Sequence, residues 1–208
     1  VMLDAVKQTY GRPEDFQQFV DKLHGLGVGV TLDVSYNHLG PVGNRYFELD
    51  PEFRGDGSDW GDQLRWWYKP VMKMLDDNLD LWMKEYRVDG FRFDMTQQIT
   101  TNGGIDDDLL RHLNSRVKQV AEEQGRPIAT IAEDCREYGP GLNHITLPVE
   151  QGGLGFWKLY GFAFHHVMKG VATGRSHMDM PHDVGKLSHV IEDGSHNTRL
   201  GALSDVYN

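Results

Sequence analysis

Three times along this chain an amphipathic helical pattern is followed by a short strand with one apolar face and one small or polar face. The first helix opens at Pro13, with Glu14 and Asp15 in its first turn, where acidic groups suit the positive end of the helix dipole. Phe16, Phe19, Val20 and Leu23 form its stripe, and Gly25 and Gly27 end it. The strand predicted next, Val28 to Tyr36, carries Val28, Val30, Leu32 and Val34 on one face and Gly29, Thr31, Asp33 and Ser35 on the other. A second helix, opened by Pro70 with the stripe Val71, Leu75, Leu79, Trp82 and Tyr86, precedes a strand from Val88 to Met95. Gly90, Arg92 and Asp94 share one face of that strand, and Phe91, Phe93 and Met95 the other. A third helix begins at Asp106-Asp107-Asp108, carries Leu110, Leu113, Val117 and Val120, and stops at Gly125 before a strand from Ile128 to Glu133.

Strands separated by long helical crossovers pair in parallel, which leaves a doubly wound sheet or a (β/α)8 barrel. A doubly wound central strand is covered by helices on both sides and should be apolar on both faces. A barrel strand has a helix-facing side and an inward side that carries polar groups near its C-terminal mouth. The two-faced strands favour an α/β fold of the (β/α)8 TIM-barrel type, with residues 1–208 as a single partial barrel domain and a longer loop insertion at about 39–69. Farther along, a Gly-rich stretch at 152–155 precedes a predicted helix at 162–171, another from Pro181, and a strand at 199–207.

Composition narrows the partners. The 208 residues carry a formal net charge of −10, which argues against a nucleic-acid or membrane-surface partner, because phosphate-rich partners need a cationic face. Cys135 is the single cysteine, so the chain forms no internal disulfide and relies on packing. No apolar run approaches the roughly 20 residues that span a bilayer. No basic-then-apolar leader is present in this sequence either, and the expectation is a cytoplasmic protein.

Polar inward-facing residues gather at the C-terminal ends of the three strands: Asp33 with Asn37 and His38, Arg92 with Asp94, and Glu133. In a barrel those ends form the active-site rim. Asp94 and Glu133 are two carboxylates on adjacent strand ends, the pair that glycoside hydrolysis uses. Arg92, two residues before Asp94 on the same face, can hold that carboxylate ionised. The apolar run before Glu133 favours its protonated form. Taken singly, an Arg and an Asp two apart form a structural ion pair more often than a catalytic one, a Glu at a strand end is usually solvated, and a lone His is often a core residue. Their coincidence at three strand ends carries the argument.

Other sites fail on spacing. Gly25, Gly27 and Gly29 precede a strand, whereas a dinucleotide fingerprint follows one. Asp56-Gly57-Ser58-Asp59 lacks the calcium-hand pattern. His165 and His166 diverge by about 100° on a helix; with the other histidines they read as composition. Cys135 reads as packing.

These residues carry a resemblance. Asp33-Val34-Ser35-Tyr36-Asn37-His38 resembles the first conserved region of the α-amylase family, D-x-x-x-N-H. Gly90-Phe91-Arg92-Phe93-Asp94 resembles its second, G-x-R-x-D, and Ile131-Ala132-Glu133-Asp134 its third. Tyr10-Gly11-Arg12-Pro13-Glu14-Asp15-Phe16 is similar to that family's Y-G-T-P-E-D-F. Within the family, Gly40-Pro41-Val42-Gly43-Asn44, Arg136 and Phe164-His165-His166 resemble the trehalohydrolase-like members and their branching-enzyme relatives. Gly161-Phe162-Ala163 replaces the acidic residues that usually precede the F-H-H, and Met95 to Ile99 lacks the usual basic or His residue.

The resemblance implies a (β/α)8 barrel, a retaining mechanism and α-linked glucan substrates. By position, Asp94 becomes the nucleophile and Glu133 the general acid/base. Arg92 orients Asp94, His38 contacts the sugar, and Asp33 with Asn37 brace the rim. No cofactor or metal is implied, and calcium is not indicated. A third carboxylate is expected from a fourth region, whose lead-in Leu203 to Asn208 resembles. On that reading the segment runs from about the end of strand two to strand seven and is inactive in isolation. Two alternatives stay open: a branching transglycosylase, in which a glucan hydroxyl replaces water, and a non-catalytic amylase-like binding module.

Overall fold

The computed structural model describes residues 3–40, 45–58, 60–101, 104–134 and 145–160, together with 169, 172 and 173. In these residues the order is α1 (Pro13–Gly25), β1 (Thr31–Val34), α2 (Arg45–Leu49), β2 (Arg54–Ser58), β3 (Gly61–Leu64) and α3 (Lys69–Asp80). There follow β4 (Gly90–Phe93), β5 (Thr100–Thr101), β6 (Gly104–Ile105), α4 (Asp107–Gln124), β7 (Ala129–Ala132) and β8 (Lys158–Leu159). Strands β1, β4, β7 and β8 form one sheet in that order, all parallel. Two small antiparallel ribbons, β2–β3 and β5–β6, stand beside it.

The helix-strand alternation thus produces the parallel α/β arrangement expected. The ladder runs Thr31↔Gly90↔Ala129 to Val34↔Phe93↔Ala132, so the two faces stay in phase across the sheet. Phe91, Phe93, Thr130 and Ala132 are buried on one face. The apolar ones join a core with Leu75 and Leu79 of α3 and Leu110, Leu113 and Val117 of α4. On the other face Thr31 and Asp33 are exposed and Arg92 is half-buried. Gly90 is required where the strands meet: a Cβ there would lie 3.0 Å from Ala129 Cβ, 3.1 Å from the Ala129 carbonyl oxygen and 3.2 Å from Thr31 Oγ1.

Several boundaries differ from the periodicity. The predicted strands at 28–36, 88–95 and 128–133 contract to four residues each, because the shared ladder spans only four rows. At one end Asp89 takes over, its carboxylate accepting from Val30 N at 2.7 Å. At the other, Met95 turns into the left-handed region at φ 41°. The helix stripe expected to run to Tyr86 changes pitch at Leu81–Glu85, one π-helical turn that buries Trp82 and Met83 together. In α1 Val20 is buried and Phe16 packs edge-on to Trp82 and Tyr86, but Phe19 is exposed. The stripe is therefore narrower than its sequence pattern. Helix α4 matches its pattern closely: the Asp106 side chain caps Leu109 N at 2.9 Å, and Gly125 closes the helix at φ 62°.

Within the segment expected as a loop at 39–69, the described residues include regular structure. They form α2, a 3-10 turn (Pro51–Phe53) and the β2–β3 ribbon, with Phe53 stacked on Tyr46 and edge-on to Tyr68. Strand β8 occupies a stretch without a predicted element. Cys135, Arg136, residues 41–44, the Phe164-His165-His166 motif, the helix from Pro181, the strand at 199–207 and the fourth-region lead-in lie outside the described residues. So does the predicted helix at 162–171, apart from residue 169, which is helical. No described helix is long and apolar enough to cross a membrane.

Candidate active site

The sheet's parallel register brings the strand-end residues to one level. Asp94 N donates to Val34 O at 2.9 Å and Glu133 N to Phe93 O at 2.9 Å, so both carboxylates begin one residue beyond the last ladder row. Asp33 and Arg92 are register partners two residues earlier, on the same face because side chains repeat every second residue. All four groups therefore converge on one patch, as the spacing predicted.

Arg92 is the hub. Its Nη1 donates to Asp33 Oδ1 at 2.7 Å and Oδ2 at 2.9 Å, and to Asp94 Oδ1 at 2.8 Å. Its Nη2 lies 2.5 Å from Glu133 Oε2. Side-chain exposure is 20% for Arg92, 26% for Asp94 and 15% for Glu133, against 64% for Asp33. The two central carboxylates are thus partly withdrawn from water and meet across one guanidinium, while Asp33 sits at the wet edge.

Asn37 has a larger part than sequence reasoning assigned it. Its side chain is buried, and Nδ2 donates both to the Asp94 carbonyl at 2.7 Å and to Asp94 Oδ2 at 3.0 Å. Its Oδ1 accepts from Ser35 Oγ at 3.4 Å and pairs with His38 Nδ1. With the amide nitrogen committed to Asp94, the His38 contact needs its proton on Nδ1. His38 also lies beside Trp60 of the β2–β3 ribbon, with ring centroids 6.3 Å apart.

The carboxylates are pushed in opposite directions. Burial alone would raise Asp94, but donation from Asn37, then contact with Glu133 and Arg92, holds it below the usual carboxylate range. Burial raises Glu133 above that range; the Met95 N–H, donating to Oε2 at 3.1 Å, works against the rise. The nearby Asp94 adds to it and the Arg92 charge offsets part of it. The sequence argument assigned the first effect to Arg92; the structure adds Asn37 as a second donor that holds Asp94 low.

Beneath the patch, Thr96 and Asp134 are fully buried and joined by Thr96 Oγ1 donating to Asp134 Oδ2 at 2.7 Å. Thr96 N also donates to the Glu133 carbonyl at 2.8 Å, tying the turn after β4 to the end of β7. Tyr160 places its ring 5.4 Å from Arg92 Cζ. Sequence reasoning missed Trp60, Thr96 and Tyr160. Only Tyr160 had a local signal, the strand-forming run Phe156 to Tyr160, and none of the three has a spacing that ties it to the carboxylates. Among the described residues no group of three or more His, Cys, Asp or Glu is arranged to hold a metal ion.

No protein-family model matches the chain. It is 32% identical over 199 residues to the malto-oligosyltrehalose trehalohydrolase of Rhizobium sp. strain M-11, covering 91% of this chain and 32% of that protein. To the enzyme of that name from Deinococcus radiodurans it is 35% identical over 170 residues, covering 79% and 25%. To the 1,4-alpha-glucan-branching enzyme of Aspergillus oryzae it is 27% identical over 225 residues, covering 98% and 32%. The chain therefore spans about a third or less of the length of these relatives. Among solved structures, a Salmonella typhimurium protein assigned as an alpha amylase superposes with TM-score 0.70 at 32% identity, over 83% of this chain and 29% of that one. The alpha-amylase of Geobacillus thermoleovorans, solved with acarbose, superposes with TM-score 0.62 at 18% identity, over 81% and 38%.

Proposed function

We propose, since this chain belongs to the α-amylase family, that the protein carrying it cleaves α-1,4-linked glucans by a retaining double displacement. The observation that carries the reading is the Arg92 bridge: two carboxylates held against one guanidinium, one kept acidic in character and the other kept charged. Retaining glycosidases need that division of labour at close spacing. The all-parallel sheet, polar on the face that bears these groups, supports a (β/α)8 barrel with the patch at its C-terminal mouth.

In the first step an Asp94 carboxylate oxygen attacks the anomeric carbon while the glycosidic C–O bond breaks, and Glu133 transfers its proton to the departing oxygen. In the second, Glu133, now ionised, takes a proton from water; the water oxygen attacks the anomeric carbon and the bond to Asp94 breaks. Asn37 and Arg92 keep Asp94 ionised and aimed. His38, its Nδ1 turned to Asn37, directs Nε2 toward a sugar hydroxyl. Two inversions at one carbon retain the α configuration.

The match to a branching enzyme along nearly the whole chain supports a second reading, in which a glucan 6-hydroxyl takes the place of water. Incubating the full-length gene product with amylose and malto-oligosaccharides, and following the products by NMR, tests both. Release of reducing ends in the α configuration supports hydrolysis, and new α-1,6 linkages support transfer. Asp94→Asn should abolish either activity. A parent protein that only binds glucan, or an active Asp94→Asn variant, would overturn the catalytic reading.

A further inference from the structure

We propose that Tyr160 is a positioning residue: its ring walls one face of the Arg92 guanidinium and holds that group in the plane from which it reaches Asp33, Asp94 and Glu133 together. The proposal rests on the glycosidase reading above and adds a residue to its machinery. Three observations support it. Tyr160 follows β8 directly, and its N–H donates to Ala132 O at 2.8 Å, so its backbone is locked to the end of the strand that delivers Glu133. Its ring centroid lies 5.4 Å from Arg92 Cζ, within the range of a cation–π contact. The guanidinium spends its edge on the anions, Nη1 on Asp33 and Asp94 and Nη2 on Glu133.

A planar guanidinium donates in its plane and is weakly hydrated on its faces, so an aromatic face complements what the carboxylates leave uncovered. Orientation matters more here than for an ordinary ion pair. Rotation about the Cδ–Nε bond would keep the net charge nearby but swing Nη1 and Nη2 out of line with their acceptors. The long arginine side chain has ample rotamer freedom for such a rotation. A wall against one face removes it.

The test uses the full-length gene product with Tyr160→Phe, which keeps the ring, and Tyr160→Leu, which keeps apolar bulk without a π face. Thermal unfolding confirms that both variants fold. Carboxyl 13C NMR titrations of Asp94 and Glu133 are recorded without substrate, and kcat and KM are measured on malto-oligosaccharides. Tyr160→Phe should leave the Asp94 and Glu133 titrations closer to the parent's than Tyr160→Leu does. Tyr160→Leu should shift the Asp94 titration upward and lower kcat about tenfold with KM within twofold. Unchanged titrations in the Leu variant would overturn the proposal. So would a raised KM with kcat intact, which would make the ring a sugar-stacking platform. Failure of the parent to act on any α-glucan would overturn the glycosidase reading alone, because the titrations decide the role of Tyr160 without turnover.

Discussion

Asn37 Nδ2 donates to both the main-chain carbonyl and the carboxylate of Asp94, at 2.7 and 3.0 Å. One buried amide therefore holds both the backbone of Asp94 and its charged side chain. Replacing it by Asn37→Ala removes a hydrogen bond to an ionised group, worth about 1.5–3 kcal/mol. We expect kcat/KM to fall about tenfold to a hundredfold. With the donor gone, one of the effects that holds Asp94 low is lost and Asp94 titrates higher, so the acidic limb of the pH–rate profile moves up. Asp94's depressed folded value also contributes stability above its unfolded pKa that is lost as pH falls through the folded one. Asn37→Ala should therefore lose part of its stability at neutral pH and less of it in acid. An unmoved acidic limb would count against this role for Asn37.

Glu133 follows the opposite sign. Its folded value is raised, so the stability it contributes is full below its unfolded pKa and is lost as pH rises through the folded one. Glu133→Gln imitates the protonated form at every pH. The variant should be inactive, yet melt above the parent at pH 8, with the difference shrinking toward pH 4. A gain that persists unchanged in acid would contradict the assignment.

Gly90 of β4 lies in register between Thr31 of β1 and Ala129 of β7. A methyl group there would press on Ala129 Cβ at 3.0 Å, with the Ala129 carbonyl and Thr31 Oγ1 just beyond. Gly90→Ala should destabilise by about 1–3 kcal/mol, read as a lower Tm. Pairing it with Ala129→Gly should recover part of the loss, because one contact disappears and the carbonyl remains. Wild-type stability in the single variant would show that the strands can part at no cost.

Thr96 supplies the 2.7 Å hydroxyl donor to the buried Asp134 carboxylate. Thr96→Val keeps the shape and removes the donor, which should cost about 1–3 kcal/mol of stability. Thr96→Ser should restore most of it. Chemical denaturation measures both, and a loss in Ser with none in Val would point to packing of the methyl group instead.

Much of the site was legible before any coordinates. Strand periodicity put Asp33, Arg92, Asp94 and Glu133 on one shared face at strand ends, because alternate side chains point the same way and the parallel order is forced by the long crossovers. The helices of the core were equally legible where their caps agree with their stripes, as at Asp106 and Gly125 of α4. Less legible were the elements whose form depends on a partner. The ribbon at 54–64 carries few strand-forming residues and exists through its cross-strand pairing. The π-helical turn at Leu81–Glu85 depends on what Trp82 and Met83 pack against.

The sequence by itself determined the kind of layer this chain builds and which carboxylates share a face, since both follow from local period and residue type. Only the tertiary structure decided that one guanidinium joins Asp33, Asp94 and Glu133, that Asn37 joins Arg92 in keeping Asp94 charged, and that Tyr160 flanks the arginine. Those relations span strands whose sequence separations carry no period. They depend on register and on ångström-scale distances that set hydrogen bonding and desolvation, and those distances exist only once the strands are side by side.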